Sequence, residues 1–66
     1  MGDPDKAIYN FEESLKIDDT NAETFYNLGL LFEKKRNADK AINFYETALQ
    51  LNPELTVVED RLNDLK

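Results

Sequence analysis

Apolar and small residues recur along the chain at the spacing of amphipathic helices. In the first segment Ala7, Ile8, Phe11, Ser14 and Leu15 fall on one helical face. Three further stripes follow: Phe25, Leu28, Gly29 and Phe32; Ala41, Ile42, Tyr45, Ala48 and Leu49; and Leu55, Val58, Leu62 and Leu65. Because no segment shows the sustained alternation of a strand, the pattern predicts an all-α chain. The predicted helices lie near residues 4–17, 22–35, 38–51 and 54–65.

Residues that favour helix termini lie at the ends of these segments. The candidate N-terminal signals are Asp3 with Pro4, Thr20 with Glu23, Asn37 with Asp39, and Thr56 with Glu59. For the fourth helix, Asn52–Pro53 competes with Thr56 as the start. The second segment closes on Lys34, Lys35 and Arg36, whose charge complements the exposed carbonyls of a helix C-terminus. We therefore interpret this basic triplet as helix-terminal rather than as a phosphate or nucleic-acid site.

The chain also repeats itself. The tetrapeptide Asp-Lys-Ala-Ile stands at residues 5–8 and again at residues 39–42, a shift of 34 residues. In the same register Phe11 corresponds to Tyr45, and Leu28 corresponds to Leu62. Since 34 residues is the period of a helix–turn–helix unit, the repetition predicts antiparallel helix pairs joined by short turns.

Residues 22–55 resemble one complete tetratricopeptide repeat. The resemblance rests on Phe25, Leu28-Gly29 and Phe32 in the first helix and on Ala41, Tyr45, Ala48 and Pro53 in the second. Phe25 stands where the family often has Trp, and Arg36 stands where the turn usually has Gly. Because glycine costs about 1 kcal/mol within a helix, we expect Gly29 to permit the close approach of a neighbouring helix through Ala41 and Ala48.

The flanking residues resemble parts of adjacent repeats. Residues 2–19 are similar to the turn, Gly2-Asp3, and second helix of a preceding repeat, and residues 56–66 to a following first helix or a capping helix. The resemblance implies a single domain over residues 1–66, with about four antiparallel helices stacked as a short right-handed α-solenoid segment. We expect this segment to come from a longer repeat array.

Composition narrows the functional classes. The formal net charge of −6 disfavours nucleic acid and anionic membranes, and it favours basic partners. The absence of Cys and His removes thiolate and imidazole chemistry and the usual zinc ligands. The acidic cluster at residues 18–23 lacks the spacing of a calcium loop. We therefore predict no catalytic residue, cofactor or metal, no membrane span, and a soluble protein with the cytoplasm as the default location.

The family resemblance implies a concave groove that binds a protein or peptide of basic or apolar character. The positions that correspond to this groove are Glu23, Tyr26, Asn27, Leu30, Glu33, Lys34 and Arg61. Tyr26 and Leu30 are either partner-facing or boundary residues covered by neighbouring helices. The alternative function is a structural, self-associating unit that contacts other copies or neighbouring repeats. Because the first helix lacks its own repeat partner, part of the face formed by Ile8, Phe11 and Leu15 is expected to be uncovered. We therefore predict either a marginal monomer or a homo-oligomer in which other copies cover this face.

Overall fold

The computed structural model describes residues 3–66, which form four α-helices and no strand. The helices are α1 (Pro4–Ile17), α2 (Ala22–Lys34), α3 (Ala38–Leu51) and α4 (Thr56–Leu65). Each helix packs on the next along the chain, and the α2–α3 pair makes the most extensive contact. The connections at residues 18–21, 35–37 and 52–55 are too short for anything but antiparallel neighbours. The predicted all-α, helix–turn–helix fold is confirmed.

The first and third helices begin at the predicted caps. The side chain of Asp3 accepts a hydrogen bond from the backbone N–H of Asp5, ahead of Pro4 in the first turn. Asn37 caps α3 by accepting from the N–H of Lys40. Both carboxamide and carboxylate oxygens satisfy N–H groups that the first helical turn leaves unpaired. The turn residue Gly2 lies outside the described residues.

Two predicted capping boxes are wrong. Asn21, not Thr20, caps α2 by accepting from the N–H of Glu23. At the fourth helix the cap position is Leu55, so that Thr56 is already the first helical residue. The side chain of Asn52 accepts from the N–H of Glu54 and forms a turn before the helix. The helix therefore begins two residues later than predicted, at Thr56, behind a cap position that has no side-chain hydrogen bond.

The turn between α2 and α3 depends on a left-handed residue. Arg36 has a φ of 60°, the conformation in which glycine usually stands. The N–H of Arg36 donates to the carbonyl of Glu33, and the N–H of Asn37 donates to the carbonyl of Phe32. This pair of bonds is the Schellman closure of a helix C-terminus. The position that the family gives to glycine is thus held by arginine in the same backbone conformation.

The core lies between α2, α3 and α4. Its buried apolar residues are Ile8, Leu28, Phe32, Ala41, Tyr45, Ala48, Val58 and Leu62. The first helix contributes only Ile8, while Phe11 and Leu15 are half-buried. In a single copy of the chain the Ile8–Phe11–Leu15 face is therefore partly uncovered. At Gly29 the predicted close approach is confirmed, and the three atoms nearest to a Cβ at this position all belong to the ring of Tyr45.

Candidate functional site

An open groove of about 490 Å³ lies where α1, α2 and α4 meet. Its lining consists of Phe11, Asn27, Leu30, Leu31, Glu33, Lys34 and Arg61. Most of these residues come from α2, whose successive turns present them along one side of the helix, and Arg61 reaches the same groove from α4. Five of the residues predicted from the sequence, Asn27, Leu30, Glu33, Lys34 and Arg61, are brought together here.

The apolar part of the groove is formed by Phe11, Leu30 and Leu31, all of them half-buried. Of these, only Leu30 was among the predicted residues. Phe11 lies on the α1 stripe, and a stripe residue is normally assigned to the core. The signal that could have identified it is the absence of a repeat partner for its helix. Leu31 lies outside the core stripe of α2. Its position next to Leu30 is the signal that could have identified it as a groove residue.

Glu33 joins three helices at one edge of the groove. Its Oε1 accepts from the hydroxyl of Tyr45 on α3 and from Nε of Arg61 on α4, at 3.1 Å. Its Oε2 accepts from Nη2 of Arg61 at 2.8 Å. The guanidinium and the carboxylate thus form a two-point ion pair, the arrangement in which such pairs are strongest. Two predicted site residues are therefore bound to each other.

The ionisation of this network follows from its contacts. Partial burial acts to raise the pKa of Glu33, but hydrogen bonds from Tyr45 and Arg61, together with the charge of Arg61, lower it overall. Burial and the neighbouring Glu33 carboxylate raise the pKa of Tyr45, against the opposing effect of Arg61. Hydrogen bonding to Glu33 raises the pKa of Arg61 further. At neutral pH the network consists of a carboxylate, a neutral phenol and a guanidinium.

Two predicted residues lie outside the groove. Tyr26 is half-buried, and its ring packs 6.0 Å from the ring of Tyr45, centroid to centroid. Glu23 lies in the first turn of α2, beside a separate cavity of about 440 Å³ that also involves Leu51 and Asn52. Of the two interpretations of Tyr26 and Leu30, the structure places Tyr26 against a neighbouring helix and Leu30 on the groove.

Within residues 3–66, no group of three or more His, Cys, Asp or Glu side chains could hold a metal ion. Among the same residues, no helix combines the length and the apolar character that crossing a membrane requires.

Comparison with known families gives two matches along the chain. The model of the family described as "Tetratricopeptide repeat" matches residues 22–55. A second model, described as "TPR repeat", matches residues 1–35. Together the two matches extend over α1, α2 and α3.

Several curated proteins are similar to the chain over most of its length. Photosystem I assembly protein Ycf3 of a Prochlorococcus marinus strain is 36% identical over 55 residues, which covers 79% of this chain and 32% of that protein. The protein of the same name from Acaryochloris marina is 34% identical over 53 residues, covering 76% and 32%. That of Cyanophora paradoxa is 32% identical over 53 residues, covering 76% and 31%. The chain thus spans about a third of the length of these relatives.

Proposed function

Since the chain belongs to the tetratricopeptide-repeat family, we propose that it is a non-catalytic module for contacts between proteins. In this proposal a segment of another protein binds in the groove between α1, α2 and α4. The observation that carries the proposal is the lining of that groove. Phe11, Leu30 and Leu31 offer an apolar surface for anchoring side chains, and the amide of Asn27 can pair with a main-chain group of the ligand.

The volume of the groove and the net charge of the chain both bear on the kind of ligand. A volume of about 490 Å³ accommodates a few side chains rather than a folded domain. The net charge of −6 draws ligands of basic overall character toward the chain, an effect that salt screens. The relatives named as assembly proteins support a protein ligand as well.

A titration with a defined peptide tests the proposal. We choose acetyl-Gly-Leu-Phe-Leu-Gly-amide, called here the apolar probe, and follow it by ¹H–¹⁵N correlation spectra of the labelled protein. Binding in the groove predicts shift changes that concentrate at Asn27, Leu30 and Leu31. A broader peptide library, screened in the same way, extends the search to basic sequences. Shift changes spread evenly over the surface, with none centred on the groove, would contradict the proposal.

A matched pair of leucine variants locates the binding site. Leu30→Ser removes an apolar side chain from the groove, whereas Leu51→Ser removes one from the end of α3, outside it. We expect the first variant to weaken binding of the apolar probe several-fold and the second to leave it unchanged, with the helical circular dichroism of both retained. An equal loss in both variants would place the probe elsewhere.

The second candidate function is structural, and the exposed face of α1 favours it. Ile17 is 90% exposed and Tyr9 is 62% exposed, and helical spacing puts both on the side of α1 away from the Ile8–Phe11–Leu15 stripe. Contacts with other copies or with neighbouring repeats would cover this apolar surface. At the other end of the stack, Glu59 and Asn63 of α4 are exposed at the repeat positions of Phe25 and Gly29. Such polar groups make α4 of a second copy a poor cover for α1.

Size-exclusion chromatography with light scattering over a wide concentration range separates the two candidates. Self-association through α1 predicts an apparent mass that rises with concentration, together with dissociation by Ile17→Lys. A monomer at every concentration, with high thermal stability, would remove self-association as a function of the chain.

A further inference from the structure

The groove contains an ion pair that determines which ligand charge it can accept. Arg61 and Glu33 both line it, and each is the partner of the other through two hydrogen bonds. The Nε–Nη2 edge of the guanidinium is one of its two edges that can make a two-point contact with a carboxylate, and Glu33 occupies it. A carboxylate on the ligand would therefore either displace Glu33 from this edge or bind the Nη1–Nη2 edge of a guanidinium whose charge Glu33 already compensates.

Glu33 is itself held from the other side. The hydroxyl of Tyr45 donates to the same Oε1 that binds Arg61, and Tyr45 is fully buried. If the Glu33 side chain swung away, the Tyr45 hydroxyl would lose its partner without gaining water, which is costly for a buried donor. The Glu33 side chain is only 19% exposed, compared with 43% for Arg61. The carboxylate is thus less exposed than the guanidinium, and its bond to Tyr45 fixes both of them at the edge of the groove.

The remaining charge on the lining is small. With Arg61 compensated by Glu33, Lys34 is the other charged lining residue, and within residues 3–66 its side chain makes no ion pair. Lys34 is exposed at the rim, where solvent screens its attraction for an acidic ligand. The favourable contacts of the groove are consequently those of Phe11, Leu30 and Leu31.

We propose that Glu33 is the specificity-determining residue of the groove, which by occupying Arg61 selects segments with apolar anchoring side chains over segments that rely on carboxylates. This inference rests on the proposed function of the same groove. Under this inference Glu33 selects the ligand, in addition to joining α2 to α3 and α4 through its hydrogen bonds. Removing the charge of Glu33, while keeping its shape, should convert the groove toward acidic ligands.

The test compares two peptides on matched variants. The apolar probe is set against acetyl-Gly-Leu-Phe-Glu-Glu with a free C-terminal carboxylate, called here the acidic probe. Glu33→Gln retains an oxygen that can accept from Tyr45, but it no longer neutralises Arg61. We expect this variant to bind the acidic probe roughly tenfold more tightly than the parent does. Its affinity for the apolar probe should change less than about twofold.

The double variant Glu33→Gln, Arg61→Gln is the control, because the gain must disappear when the guanidinium is absent. If Glu33→Gln fails to fold, Glu33→Ala with Tyr45→Phe frees Arg61 without leaving a buried hydroxyl unpaired, and the same gain is expected. An unchanged ratio of the two affinities, or a gain that persists without Arg61, would overturn this inference while the proposed function stands. Failure of both probes to bind any variant would count against both together.

Discussion

Gly29 on α2 lies directly against the ring of Tyr45 on α3. A Cβ atom at Gly29 would lie no more than 2.9 Å from three atoms of that ring, closer than real contacts allow. The ring cannot move aside easily, because Tyr45 is fully buried and its hydroxyl is bonded to Glu33. The missing side chain of one helix therefore makes room for the aromatic side chain of the next, and this contact also positions the network at the groove edge.

We expect Gly29→Ala to destabilise the protein. The helix itself would gain about 1 kcal/mol from alanine, so any net loss measures the overlap with Tyr45. Overpacking of a filled core costs about 1–3 kcal/mol and more where the neighbour is a rigid ring. We predict that the free energy of unfolding, from urea titrations followed at 222 nm, falls by about 1–2 kcal/mol.

Asn63→Ala is the matched control for this substitution. Asn63 occupies the same repeat position on α4, but there it is exposed. The alanine should therefore leave stability within about 0.5 kcal/mol of the parent. If Gly29→Ala were as stable as Asn63→Ala, the account of the Gly29–Tyr45 contact would be wrong.

Arg36→Gly should stabilise the protein. Arg36 has a φ of 60°, and an L-residue in that conformation carries a cost of about 1–2 kcal/mol that glycine does not. Part of the gain is lost because glycine is more flexible in the unfolded chain. We expect a net increase of about 1 kcal/mol, seen as a rise in Tm of several degrees.

Arg36→Ala separates backbone conformation from charge. It removes the same guanidinium from the end of α2 but retains a Cβ, so it should not stabilise the turn. Equal effects of alanine and glycine would show that charge, not the left-handed conformation, controls stability at this position.

Tyr45 should make the protein sensitive to alkali. Burial, followed by the Glu33 carboxylate, raises its pKa in the folded state, so the folded protein retains this proton where the unfolded chain releases it. The stability that Tyr45 contributes is therefore complete below a pH of about 10, the pKa of an ordinary tyrosine, and declines as the pH rises toward the folded pKa. The slope for one proton is at most about 1.4 kcal/mol per pH unit.

Tyr45→Phe provides the reference for this measurement. Urea titrations between about pH 8 and pH 11 should show the parent losing stability faster than the variant above pH ~10. The two proteins share every other ionisable group, so the difference between the two curves isolates Tyr45. Parallel curves would mean that the Tyr45 hydroxyl gains nothing from its surroundings.

The helices could be predicted because their apolar spacing is a local property. The bounds of α1 and α3 agree with residues 4–17 and 38–51, since a capping residue stands before each segment. At Thr20 the prediction failed because the adjacent Asn21 can cap equally well, and which residue does so depends on the path of the preceding turn. At Thr56 it failed because Asn52 forms a turn of its own.

The groove was predictable in outline, while its internal contacts were not. Helical spacing and the family resemblance placed Asn27, Leu30 and Lys34 on one side of α2, and all three line the groove. The pairing of Glu33 with Arg61 joins residues that are 28 positions apart. It depends on how α4 lies across α2, and this follows from packing rather than from any local pattern.

The two isoleucines of α1 should contribute very differently to the free energy of unfolding. Ile8 is 7% exposed and belongs to the core, whereas Ile17 is 90% exposed. Ile8→Ala should therefore lower the free energy of unfolding by about 2–5 kcal/mol. In a monomer Ile17→Ala should change it by no more than about 0.5 kcal/mol. Both values come from urea titrations at low protein concentration, where copies do not contact one another.

Repeating the Ile17→Ala titration at high protein concentration tests whether copies of the chain associate through Ile17. If copies cover Ile17, the parent becomes more stable with concentration and Ile17→Ala does not, because binding to the folded state adds to apparent stability by mass action. If Ile17 stays exposed, the difference between parent and variant is the same at every concentration. The first result would assign Ile17 to an interface between copies. The second would leave α1 as a half-covered edge whose Phe11 serves the groove.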